Sequence, residues 1–73
     1  MGNLPVCSGS ESVKAFQSLG WRLVRQSGSH MILVKDGVNI TLSIPNHKVL
    51  DRGTLRSLIR IAGITVEDFK KVL

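Results

Sequence analysis

Two glycine-bearing turn signals set close together constrain this chain more than any other feature. Ser27-Gly28 and Asp36-Gly37 interrupt a β-branched and apolar stretch that begins at Trp21 and ends at Pro45. Parallel strands need a crossover of roughly a dozen residues or more, and the breaks leave no room for one. The segments therefore read as an antiparallel meander, with strands over about Trp21 to Gln26, His30 to Lys35 and Val38 to Ile44. Asp36-Gly37 is a pair favoured in type I′ hairpin turns. In the third segment Val38, Ile40, Leu42 and Ile44 alternate with Asn39, Thr41 and Ser43, so one sheet face is expected to be covered and the other open. The second segment is apolar on both faces for part of its length, as a central strand tends to be.

Helical signals flank the meander. Ser8 and Glu11 have the spacing of a capping box, Val13, Phe16 and Leu19 recur every third residue beside Ala15, and Gly20 supplies a left-handed stop. After a polar loop from Pro45 to Leu50, Asp51 can cap a second helix. There Leu55, Leu58, Ile59 and Ala62 form a core-facing stripe, and Gly63 ends it. Thr65 and Asp68 open a short final helix whose Phe69, Val72 and Leu73 are expected to close the core. The expectation is an α+β fold, α-β-β-β-α with a short C-terminal helix, its helices on one face of a three-stranded antiparallel sheet.

Residues 1–73 form one domain on this reading, because a chain of 73 residues has interior for only one core. No disulfide can staple it, since Cys7 is the sole cysteine. Its simplest role is small apolar packing near the first helix. Met1 to Cys7 lacks a basic segment followed by an apolar one, and no run of about 18 apolar residues occurs. The expectation is a cytoplasmic protein with no membrane association.

Ten Lys and Arg stand against five Asp and Glu, a formal charge of +5, which points to a polyanionic partner. Arg52, Arg56 and Arg60 recur every fourth residue and line one side of the second helix, with no acidic residue between Arg52 and Thr65 to pair with them. Arg22, Arg25, Lys35 and Lys48 add charge from the strands and loops. Trp21, Phe16 and Phe69 are accounted for as core, which argues against a platform for stacking bases.

His30 is the strongest candidate for chemistry. Gly28 permits a positive φ and a close ligand approach, Ser29 offers a small donor, and His30 stands at the root of a strand with an imidazole, a side chain suited to moving protons. His47, in the loop Pro45-Asn46-His47-Lys48, is a possible second imidazole. RNA cleavage by internal transesterification needs a base for the 2′-OH, an acid for the 5′ leaving oxygen and cations around the phosphorane. His30, His47 and the arginine ridge would be chemically sufficient if they converge. There is no HExxH, no CxxC and no glycine-rich phosphate loop, and the acidic residues are scattered, so no metal site and no cofactor are expected.

Ser8-Gly9, Leu19-Gly20-Trp21, Arg25-Gln26-Ser27-Gly28-Ser29-His30, Ile44-Pro45-Asn46-His47, Gly53-Thr54-Leu55-Arg56-Ser57-Leu58-Ile59-Arg60 and Ala62-Gly63 together resemble, in order and spacing, the successive motifs of HicA toxins. The resemblance runs from about residue 4 to the C-terminus. It implies a fold like a double-stranded-RNA-binding domain, cleavage of messenger RNA that arrests growth, a catalytic histidine matching His30, and an antitoxin partner of the HicB type. The free toxin is expected to be a monomer. Two alternatives stay open from the residues themselves: a non-catalytic binder of structured RNA, and a protein-interaction module that uses the basic surface on an acidic partner.

Overall fold

In a computed structural model, which describes residues 3–73, the chain forms α1 (Gly9–Ser18), β1 (Arg22–Ser27), β2 (His30–Val34), β3 (Leu42–Pro45), α2 (Arg52–Ala62) and α3 (Val66–Val72). Met1 and Gly2, part of the N-terminal stretch read above as lacking a leader, lie outside the described residues. No helix among the described residues is long and apolar enough to cross a membrane.

The caps form as their spacing predicts. Ser8 and Glu11 exchange both bonds of a capping box at the start of α1, and Thr65 and Asp68 do the same for α3. Asp51 accepts from the Gly53 and Thr54 amides at the start of α2. α1 and α2 both close with a positive-φ glycine, Gly20 and Gly63. At the first, the Trp21 N–H reaches the Phe16 carbonyl and the Gly20 N–H reaches that of Gln17. This Schellman arrangement takes up two carbonyls that the helix end would leave unpaired, and it delivers Trp21 into the core.

The sheet is antiparallel in the order β1-β2-β3. Met31 and Leu33 of β2 and Leu42 and Ile44 of β3 face the helices and are buried with Phe16, Leu55, Leu58, Ile59 and Phe69. The Phe16 and Phe69 rings lie 5.1 Å apart at 48°, joining α1 to α3. Cys7 packs in the same core.

Three expectations need correction. The third strand begins at Leu42, and Val38 and Ile40 are 37% and 46% exposed instead of facing inward. The cause lies in the turn. The Val38 N–H bonds to the Lys35 carbonyl, yet only Gly37 has a positive φ, of 80°, and Asp36 does not, whereas a type I′ turn needs both. Without the primed twist the strands splay, and pairing resumes only at Leu33 and Leu42. The first strand starts at Arg22, because the N–H of Trp21 already caps α1, and it carries a bulge between Leu23 and Arg25. Leu73, expected in the core, is 46% exposed beyond the end of α3.

Candidate functional site

The β1–β2 connection is a two-residue hairpin closed by the pair Ser27 and His30. Gly28 has φ 60° while Ser29 has a negative φ, the sign pattern of a type II′ turn, which puts glycine at the first central position. A Cβ on Gly28 would meet nothing, so conformation and not space calls for glycine there. His30 is thereby fixed at the root of β2. Because Met31 and Leu33 point inward, alternation turns His30, Ile32 and Val34 to the open face of the sheet. The side chain of His30 is exposed there.

The loop that carries His47 is tied to the same end of the sheet. Pro45 is the cross-strand partner of His30, the Asn46 N–H donates to the Ser29 carbonyl at 2.6 Å, and the Gly9 N–H donates to the His47 carbonyl at 2.9 Å. Further along both segments, the Leu50 N–H bonds to the Cys7 carbonyl at 2.8 Å. Gly9 lies against the Pro45 carbonyl so closely that a Cβ would collide with it. The start of α1, the hairpin tip and the 45–47 loop thus form one clamp. His47 itself is exposed.

The basic residues divide among three places. Arg25 pairs with Ile32 and stands diagonal to His30 on the open face, a separation of about 7–8 Å that a long side chain spans. Lys48 follows His47 in the clamped loop and is exposed. Arg22 and Lys35 sit at the other end of β2, roughly 13 Å away at about 3.3 Å per residue, and Arg22 is engaged by Asp36 at 3.0 Å. Arg52, Arg56 and Arg60 are exposed on α2, which belongs to the helical layer on the covered side of the sheet. The structure therefore groups His30 with the segment of His47 and with Arg25, and it keeps the arginine ridge apart from that group. Sequence reading placed Gly9 and Asn46 in the family motifs but gave them no part in holding the site. The visible signal was a glycine in the first turn of a helix, where glycine is otherwise unfavourable.

Burial raises the pKa of the Cys7 thiol, and the nearby carboxylate of Glu11 pushes it further the same way. Cys7 is thus a protonated packing group at neutral pH, 3% exposed. No three or more His, Cys, Asp or Glu side chains cluster in a way that could hold a metal ion among the described residues.

Residues 9–64 match a family model described as the HicA toxin of bacterial toxin-antitoxin systems. The chain belongs to the HicA toxin family. No curated protein matches it significantly. The matched span opens at Gly9, the clamp glycine, and takes in the hairpin of His30, the loop of His47 and all of α2. As a HicA toxin the protein has an antitoxin for a partner.

Proposed function

We propose that this HicA toxin is an endoribonuclease that cuts messenger RNA with His30 and so arrests growth. The observation that carries the reading is the exposed His30 at the root of a conformationally fixed hairpin, tied through Ser29 and Asn46 to the loop of a second imidazole. Catalytic geometry needs such rigid support.

The chemistry is an internal transesterification. His30 takes the proton of the ribose 2′-OH, the 2′-oxygen bonds to phosphorus, and the bond from phosphorus to the 5′-oxygen breaks. The leaving oxygen gains a proton from His47 or from solvent, which gives a 2′,3′-cyclic phosphate and a 5′-hydroxyl. Arg25, diagonal to His30, serves the charge that builds on the phosphorane. Gly28 and Ser29 shape the approach, Lys48 adds charge beside His47, and Arg22, Lys35 and the ridge of Arg52, Arg56 and Arg60 hold more distant phosphates. No metal or cofactor takes part in this scheme. The α-β-β-β-α order with a short added helix supports the double-stranded-RNA-binding-like fold that the resemblance implies, and with it structured RNA as substrate. The toxin acts in the cytoplasm as a free monomer until a HicB-like antitoxin binds it.

The test is incubation of the purified protein with RNA beside a His30→Ala version, with the new ends analysed. Cyclic-phosphate ends from the intact protein alone support the reading. RNA binding without cleavage by the intact protein makes it a binding module instead.

A further inference from the structure

The free edge of β3 is not equivalent along its length. In an antiparallel ladder, successive residues direct their main-chain groups alternately toward and away from the neighbouring strand. The Asn46 N–H bonds to Ser29 on the β2 side, one step beyond the His30 and Pro45 pair. Asn46, Ile44 and Leu42 therefore address β2, and Pro45 and Ser43 address the open edge, with Thr41 just before the strand begins. At Pro45 that edge is closed, since Gly9 packs on its carbonyl. At Ser43 and Thr41 it opens on a groove of about 620 Å³ between the strand and α2. Gly53, Ser57 and Ile61 form the helical wall, and Asp51 lies at one end.

We propose that this groove receives an extended segment of the antitoxin, which adds as a further strand beside Thr41 and Ser43. Sheet-edge addition takes its affinity from main-chain hydrogen bonds and its selectivity from the pockets that alternate side chains enter. The small Gly53 and Ser57 let a second backbone approach, and Ile61, 45% exposed, offers apolar surface to one side chain of the incoming strand. Arg56 and Arg60 lie three residues beyond Gly53 and Ser57, so they border this wall as its rim. The fitting partner is an extended segment with small or β-branched residues facing the groove and acidic residues beside them. The groove disfavours RNA at the end where Asp51 lies. Asp51 presents a carboxylate there, and that carboxylate already occupies the Gly53 and Thr54 amides that could otherwise meet a phosphate. The inference rests on the family's pairing with an antitoxin and is independent of ribonuclease activity.

Two variants of the full chain test it against the protein encoded by the neighbouring reading frame. Ser43→Pro removes one outward N–H and leaves the β2–β3 ladder its own donors, as proline on an edge strand permits. Ser57→Trp fills the groove from the helix side. Each is expected to weaken binding of that protein roughly tenfold or more while RNA cleavage stays at the level of the unaltered chain. In the unaltered chain, the Ser43 amide should become protected from hydrogen exchange in the complex. Unchanged affinity in both variants, a Ser43 amide that exchanges freely in the complex, absence of binding by the neighbouring protein, or protection by RNA instead of by that protein overturns the proposal.

Discussion

His30 is exposed and packs into no core cluster, so removing it should separate chemistry from stability. His30→Ala is expected to lower the RNA cleavage rate about 10²–10⁴-fold, the usual contribution of a positioned acid–base group. Its melting temperature should stay within a few degrees of the parent, as for most surface substitutions. A cleavage rate within twofold of the parent would sink the assignment of His30. Cys7 makes a different kind of prediction. Its pKa in the folded chain lies above the ordinary 9.0, because burial and then Glu11 disfavour the thiolate. The unfolded chain therefore loses the thiol proton first as pH rises, and the stability held below about pH 9 declines above it. Cys7→Ala should remove that part of the alkaline loss, seen as a smaller drop in the urea midpoint between pH 8 and pH 10 than the parent shows.

The elements were legible where local chemistry decides them. Ser8 with Glu11, Thr65 with Asp68, Asp51, Gly20 and Gly63 placed all three helices, because a cap or stop is written within a few residues. The third strand was misread for the opposite reason. The alternation from Val38 to Ile44 is real, but whether Val38 and Ile40 pair depends on the twist delivered by Asp36-Gly37, and that is a backbone outcome. In the site, the hairpin of Gly28, Ser29 and His30 could be read from sequence, whereas its clamp could not. Gly9 and Asn46 meet His47 and Ser29 only through tertiary contact. The clamp has its own test. Alanine at a helical glycine ordinarily stabilises by up to about 1 kcal/mol, but Gly9→Ala must push against the Pro45 backbone. The expected result is a loss of about 1–3 kcal/mol, typical of overpacking, read as a lower urea midpoint. A more stable variant would show that the clamp is loose. On α2, Arg56→Ala with Arg60→Ala should flatten the dependence of RNA affinity on salt by about one unit of slope for each phosphate that is no longer neutralised. An unaltered slope would make the ridge a solvated face.

At the scale of the whole molecule, a formal charge of +5 on so small a body should draw an acidic partner as well as the proposed RNA substrate, and the two are then expected to compete. A domain of this size has no interior to spare for a separate regulatory site. Inhibition by the antitoxin should therefore work by cover. A strand seated at Thr41 and Ser43 lies only about 7 Å along β3 from Pro45, the partner of His30, at roughly 3.3 Å per residue. The body of the protein carrying that strand is then placed to extend over the open face that holds His30 and Arg25. Binding only to the folded toxin raises its stability with free partner concentration, by about 2.7 kcal/mol at a hundredfold excess over Kd, which moves the melting temperature of a domain this small upward by more than about 10 °C. The His30 imidazole also loses its access to an acylating reagent such as diethyl pyrocarbonate, whereas inhibition by unfolding would leave it at least as reactive as in the free protein. The decisive measurement is the acylation rate at His30 in a complex that no longer cleaves RNA. A rate equal to that of the free toxin would place the inhibitory contact away from His30 and reject cover as the mechanism.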